Sequence, residues 1–192
     1  MSATMNVSPA ELLPNHLGGQ RHVGTGAGTT LFDPVLGDAL VRVDATGLDL
    51  TGSFERVRTL GGSALRALNY RERAGLLKAV AQVLQAGRDA YFALSTANSG
   101  TVKNDSAVDI DGAIYTIGVY AKLGEALGDA RVLADGEFVA LAKGGTFGSR
   151  HVQVPTRGLA LCINAFNCPA WGLWEKAAPA LLLGVPVVVK PA

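Results

Sequence analysis

Gly158-Leu159-Ala160-Leu161-Cys162-Ile163-Asn164, then Trp171 to Leu183, then Gly184-Val185-Pro186-Val187-Val188-Val189-Lys190, is the stretch that decides the fold. Its first part is a short unbroken apolar run, the pattern of a strand buried on both faces of a parallel sheet. The middle reads as a helix stopping at Gly184, a residue suited to the C′ position. Pro186 opens a second apolar strand that reaches Lys190. Strand, helix and strand of this length form a right-handed βαβ unit. In such sheets ligands sit beyond the carboxyl ends of the strands. Those ends carry the loop Asn164-Ala165-Phe166-Asn167 and Lys190, which aims an amide and a cation at one crevice. Asn is also an ordinary turn residue and Lys an ordinary strand end, so the residues alone leave both readings open.

Upstream of this unit, Glu137 to Ala142 and Thr146 to Val154 read as strands joined around Lys143-Gly144-Gly145, a hairpin signal. A hairpin between helices and a buried βα unit is expected to project from the body. Its edges are then either protected or paired with another chain, and the sequence leaves a surface hairpin and an oligomer contact equally open. Before it come helices. Asp105 to Leu127 carries a stripe of Ile110, Ile114, Ile117, Tyr120 and Leu123. Asp89 to Ala97 ends at Asn98-Ser99-Gly100. In the preceding helix Asn69 can cap and Glu72 can reach back in a capping box, with Leu76, Leu77, Val80, Val83 and Leu84 on one face. A helix through Phe54, Val57, Leu60, Leu65 and Leu68 is weakened in its middle by Gly61-Gly62. Thr29 to Val43 reads as an edge hairpin about Asp33-Pro34-Val35-Leu36-Gly37, after a polar, glycine-rich start.

Composition bounds the class of function. The 192 residues carry 17 Lys+Arg against 16 Asp+Glu, a balance without the basic surplus of a nucleic-acid or anionic-membrane binder. Two cysteines cannot build a disulfide scaffold, and the first twenty residues lack a signal-peptide apolar run. The longest apolar stretch, Ala177 to Val189, is interrupted by Pro179, Gly184 and Pro186 and falls short of the about 20 residues a membrane span needs. These features point to a cytoplasmic α/β protein. The 24 glycines fit the turns and close approaches of such a fold. Gly24-Thr25-Gly26-Ala27-Gly28 follows no strand, opens no helix and lacks G-x-G-x-x-G spacing, so a turn is the better reading than a phosphate loop. His16, His22 and His151 show no metal spacing and read as surface residues. Ser63 and Ser99 lack the flanking glycines of a nucleophile elbow, and Tyr91, Phe92, Tyr115 and Tyr120 sit at helical spacings expected of core.

Several motifs, in order and spacing, resemble the aldehyde dehydrogenase superfamily. They are Pro155-Thr156-Arg157-Gly158, Ile163-Asn164-Ala165-Phe166-Asn167-Cys168-Pro169, Glu175-Lys176-Ala177-Ala178-Pro179-Ala180-Leu181 and Gly184 through Ala192. The resemblance covers nearly the whole chain. Asn98-Ser99-Gly100-Thr101, Asn104 to Gly112 and Trp171-Gly172-Leu173-Trp174-Glu175-Lys176 resemble the branch that oxidises ring-cleavage semialdehydes carried on coenzyme A in aromatic degradation.

The resemblance implies a Rossmann-like parallel sheet of the cofactor domain, incomplete in this chain, with a projecting β-hairpin. It divides the chain into residues 1–136 and 158–192 of that domain and an oligomerisation hairpin, 137–157, through which a homodimer or dimer of dimers would assemble. It implies NAD or NADP as cofactor, with NADP favoured, and a small aldehyde, CoA-linked, as substrate. By the same resemblance Asn167 is the catalytic amide that stabilises an oxyanion, and Lys190 bonds the adenosine ribose. Ile163, Ala165, Phe166 and Asn167 pass along the cofactor, and Lys176 lines the site behind Asn167. Ala165-Phe166 departs from the family's usual proline and tryptophan. The family's nucleophilic cysteine and general-base glutamate fall downstream of Ala192, so the chain is expected to be an amino-terminal portion, inactive alone. Neither Cys162, inside a strand, nor Cys168 is expected to replace that nucleophile. Two other readings stay open: a non-catalytic nucleotide-binding or assembly module, and transfer of the acyl group to CoA in place of hydrolysis.

Overall fold

The computed structural model describes residues 10–192. Three short strands occupy the glycine-rich start, where the sequence offers only polarity: β1 (Leu12–Leu13), β2 (Asn15–Leu17) and β3 (Gln20–His22). β4 (Thr29–Phe32) and β5 (Ala39–Val43) form the expected hairpin. The Asp33 carboxylate accepts from the backbone N–H groups of Val35 and Leu36, which fixes its turn. β1 adds to β5 in parallel, giving a mixed sheet of order β1-β5-β4 with β4 at the edge. The Gly24–Gly28 run is a turn folded onto Asp44, whose Oδ2 accepts from the Gly26 N–H at 2.6 Å.

The helix expected to weaken at Gly61-Gly62 continues through that point by changing pitch. α1 (Leu50–Arg56) passes through a π-helical turn, Val57–Gly61, into α2 (Gly62–Ala67). Leu60 faces solvent there rather than the core. α3 (Tyr70–Ala86) opens on the full capping box: the Asn69 side chain accepts from the Glu72 N–H, and the Glu72 carboxylate accepts from the Asn69 N–H, both at 2.8 Å. α4 (Arg88–Ser99) stops at Gly100, which adopts φ 67°. α5 (Lys103–Leu127) follows, and the two are joined by a bidentate pair in which Arg88 donates to both Asp111 oxygens at 2.6 Å.

The core lies where α3, α5 and α6 (Pro169–Leu182) meet, and it is built on smaller residues than the apolar stripes suggest. Tyr70, Ala74, Leu77, Ile117, Ala121, Ala178 and Leu182 form it, with Val80, Leu84 and Tyr120 packed around. Leu76, Val83, Leu123 and Tyr115, all expected to be buried, are exposed. The helices approach too closely for large side chains. At Gly124, a Cβ would lie 2.8 Å from Ala74 Cβ and 3.0 Å from the Tyr70 carbonyl. Burial of Leu77, Ile117 and Leu182 contributes about 1.5–3 kcal/mol each.

The second hairpin is β6 (Leu133–Ala140) and β7 (Gly148–Gln153), so its first strand begins earlier than expected and both strands end sooner. Gly136, at φ 85°, sits in the register shift between Asp135 and Val139. Only Leu133 packs against the core, and the rest of β6 is exposed. The βαβ unit is present: β8 (Ala160–Ile163), α6 and β9 (Val187–Lys190), with β8 and β9 parallel and Ile163 opposite Lys190. Gly184 adopts φ 81° and donates to the Leu181 carbonyl, while Val185 N–H reaches back to Ala180, a complete Schellman close. No helix among the described residues is long and apolar enough to cross a membrane.

Candidate active site

The pairing of Ile163 with Lys190 puts the end of β9 beside the loop that leaves β8. The Asn164 N–H donates to the Lys190 carbonyl at 3.1 Å and ties the two strand ends together. Ile163, Ala165, Phe166, Asn167 and Lys190 are all exposed at this carboxyl end. The loop carrying Asn167 and the strand end carrying Lys190 therefore start from adjacent positions of the sheet. Lys176 is exposed and lies two turns along α6, about 10 Å from the helix start. Its amino group donates to the Gly172 carbonyl at 2.8 Å and pairs with Glu175. His16, His22 and His151 lie on the surface.

The loop is held by residues that sequence reasoning did not single out. Asp109, on α5, is 3% exposed. Its Oδ1 accepts from Cys168 Sγ at 3.0 Å and from the Trp171 N–H at 2.8 Å, and its Oδ2 accepts from the Ala170 N–H at 3.2 Å. These donors belong to the first turn of α6, whose own N-cap residue, Cys168, makes no capping bond. Asp109 thus caps a helix from another helix, its charge facing the positive end of the α6 dipole. On the other side of Asn167, Ser99 Oγ donates to the Phe166 carbonyl at 2.8 Å. The available signal was that Asp109 falls on the buried stripe of α5, four and eight residues before Ala113 and Ile117, where a carboxylate needs donors.

The cysteines behave as inert groups. Cys162 is buried in β8. The Cys168 thiol is pushed up to about 11, first by burial, then by the hydrogen bond to Asp109 and by its charge. At pH 8 its alkylation by iodoacetamide in the native protein should run about 100-fold or more below that of a free thiol, and accelerate as pH approaches 11. Site-resolved mass spectrometry reads this directly, and labelling at the free-thiol rate would show that the thiol is neither buried nor bonded. Folding raises this pKa, so the thiol's contribution to stability is full below the ordinary value of 9.0 and fades as pH rises to about 11.

An apolar cavity of about 730 Å³ lies behind the start of α6, lined by Leu13, Val41, Leu94, Ile114 and Trp174 and reaching Asp109, Pro169 and Ala170. It contains neither Asn167 nor Lys190 and offers few polar groups to orient a reacting carbonyl. The strand ends, with their amide, cation and open backbone, are the better candidate for chemistry.

Parallel strands joined through a helix, with a polar loop and a lysine at their carboxyl ends and an exposed hairpin before them, define an α/β protein. The aldehyde dehydrogenase family profile matches residues 29–192, and the chain belongs to that family. It is 54% identical over 180 residues to the 3,4-dehydroadipyl-CoA semialdehyde dehydrogenase of Aromatoleum evansii, covering 94% of this chain and 35% of that protein. A betaine aldehyde dehydrogenase of Vibrio vulnificus is 27% identical, with 95% of this chain and 36% of that protein covered. Among solved structures, a putative methylmalonate-semialdehyde dehydrogenase from Sinorhizobium meliloti complexed with NAD superposes with a TM-score of 0.81 at 19% identity. That match covers 95% of this chain and 36% of the other. An NADP-dependent enzyme of E. coli superposes with a TM-score of 0.74 at 24% identity, covering 97% and 36%. The chain spans about a third of the length of the relatives it matches.

Proposed function

We propose that these residues form the oxyanion side and part of the cofactor cradle of an NAD(P)-dependent aldehyde dehydrogenase acting on a CoA-linked semialdehyde. The observation that carries this reading is the exposed Asn167, in a loop that leaves β8 next to the strand end bearing Lys190 and is tied down on both flanks. The similarity to a CoA-semialdehyde dehydrogenase at 54% identity supports the substrate class.

A thiolate from outside residues 1–192 adds to the aldehyde carbon, and the carbonyl oxygen gains negative charge. The Asn167 side-chain amide donates to that oxygen as the charge develops. A nicotinamide cofactor held along Ile163, Phe166 and Lys190 would supply the hydride acceptor needed for that carbon to become a thioester. Water then releases the acid. The residues present fit such a cofactor: the Lys190 ammonium offers donors to ribose hydroxyls at the strand end, and Ile163 and Phe166 present open apolar surface along the same edge. Cys168, protonated and bonded to Asp109, is no nucleophile, and the 192-residue chain alone is inactive on this reading. Residues 1–136 and 158–192 belong to one cofactor domain in a cytoplasmic enzyme. Residues 137–157, with Phe138, Val139 and Phe147 exposed, serve as its contact between subunits in a homodimer or dimer of dimers.

The test is reduction of NAD or NADP by the complete enzyme, followed at 340 nm, with a CoA-thioester semialdehyde and with free aldehydes of equal chain length. The expected result is a kcat/KM at least about 100-fold higher for the CoA-linked aldehyde, roughly 2.7 kcal/mol of discrimination. Product analysis distinguishes free acid from a second CoA thioester. Equal rates on free aldehydes would remove the substrate assignment, and no reduction with any aldehyde would remove the activity.

A further inference from the structure

We propose that Asp109 and Ser99 are positioning residues that hold the Asn167 amide in register for the oxyanion. This rests on the reading of Asn167 given above.

The loop between β8 and α6 is short, and Asn167 lies exposed at its turn. The residues on either side of it are each tethered by a different element. Phe166 is held through its carbonyl by Ser99, at the end of α4. Cys168 is held through its thiol by Asp109, and the two Asp109 oxygens also take the N–H groups of Ala170 and Trp171. A local serine or aspartate at the N-cap would satisfy the helix end equally well. Asp109, 59 residues before Cys168, instead fixes where the α6 N-terminus sits relative to α5.

Both tethers issue from one corner. Thr101 Oγ1 lies 2.7 Å from Ser106 Oγ, which is fully buried, and Ser95 and Thr96 join the same hydroxyl cluster. Gly100 turns the chain there in a left-handed conformation. The cluster locks the end of α4, carrying Ser99, to the start of α5, carrying Asp109. Cys168, whose proton stays on the sulfur through neutral pH, remains a donor to Asp109 over the working range. Asn167 is left with a pinned backbone and a free amide. A donor aimed at developing charge needs this arrangement, because a misplacement of about 1 Å can cost on the order of 100-fold in rate.

The experiment is a double-mutant cycle in the complete enzyme. It uses Asp109→Asn, Ser99→Ala, Asn167→Ala and the two pairings with Asn167→Ala, with kcat, KM and melting temperature read for each. Asp109→Asn keeps the size of the side chain but turns an NH2 toward N–H donors. It is expected to lower kcat by about 10- to 100-fold while KM stays within about threefold. Ser99→Ala, which removes one partly exposed hydroxyl, is expected to lower kcat by about 3- to 10-fold. In the Asn167→Ala background neither change should cost more than about twofold further, because the group they position is gone. A merely structural role would instead multiply the losses and move the melting temperature in step with kcat, and that outcome overturns the proposal. Full kcat in both Asp109→Asn and Ser99→Ala, with Asn167→Ala impaired, overturns the positioning role alone. Full kcat in Asn167→Ala overturns the oxyanion reading itself. If Asp109→Asn fails to fold, the Ser99→Ala arm carries the same decision.

Discussion

Asn167→Ala in the complete enzyme is expected to lower kcat by about 10²- to 10³-fold, the loss of about 2.7–4 kcal/mol of transition-state stabilisation typical of one oxyanion donor. The effect should fall on kcat and kcat/KM together and leave KM nearly unchanged. The ground-state aldehyde oxygen carries little charge, so the amide gains most of its energy only as the thiolate adds. Asn167 is exposed and does not belong to the α3–α5–α6 core, so the melting temperature should hold within about 2 °C. Asn167→Asp separates size from polarity. It is nearly isosteric but presents a carboxylate to a developing negative charge, and it should be at least as slow as the alanine variant. Steady-state rates with saturating cofactor check all three expectations. A rate within about threefold of wild type in Asn167→Ala would sink the oxyanion role, since the other amide of the loop, Asn164, is partly buried and turned toward the Pro169 carbonyl.

What the sequence revealed and what it hid follow one physical division. The β8–α6–β9 unit, the Asn69–Glu72 capping box, the Asp33 turn and the Gly100 and Gly184 stops were all legible, because each is settled by residues within a few positions of one another. The same locality set the loop after Ile163 beside the strand end at Lys190. The buried faces of α3 and α5 were only half legible. Leu76, Val83, Leu123 and Tyr115 have the right period and the wrong rotation. The closest helix approach runs along Ala74, Ala121 and Gly124, and a reading weighted toward large apolar residues places the stripe beside that line. Asp109 and Arg73 were not legible as to role, since deciding partners lie far along the chain: Ala170 and Trp171 for one, and for the other Leu182, beside the nearby Leu65 and Leu68. A charged residue on a buried helical stripe marks such a partnership without naming the partner. The π-helical turn at Val57–Gly61 is of the same kind, a compromise between local glycines and distant packing against Pro186.

Arg73→Ala is expected to lower the unfolding free energy by about 3–5 kcal/mol, the cost of leaving buried carbonyls without their donor and of emptying the space of a large buried side chain. Arg73 is 1% exposed and has no carboxylate among its hydrogen-bond partners. Its guanidinium donates through Nε to the Leu65 carbonyl at 2.9 Å, through Nη2 to Leu68 at 2.7 Å and through Nη1 to Leu182 at 3.0 Å, with the Tyr70 ring 5.2 Å away. Burial lowers its pKa from the usual arginine value. The cation is stabilised by carbonyls at the carboxyl ends of α2 and α6, where both helix dipoles are negative. The Schellman close of α6 satisfies Ala180 and Leu181 but leaves Leu182, so the arginine completes the cap. A side chain at Gly184 would be strained at φ 81° and would press on the arginine, its Cβ lying 3.1 Å from the guanidinium carbon. Alanine would therefore strand the Leu68 and Leu182 carbonyls, Leu65 keeping the Leu68 N–H, and open a cavity beside Tyr70, whereas lysine could reach only part of the set and should cost about 2 kcal/mol. Helix α6 is thus held by Asp109 at its positive end and by Arg73 at its negative end, each charge matched to the dipole it meets. Since both groups are buried, urea unfolding of Arg73→Ala should show the same loss at low and high salt, unlike the exposed pair Arg58–Glu55. A loss below about 1 kcal/mol, or one that vanishes in salt, would mean that the carbonyls find other donors and that the negative end of α6 does not depend on the arginine.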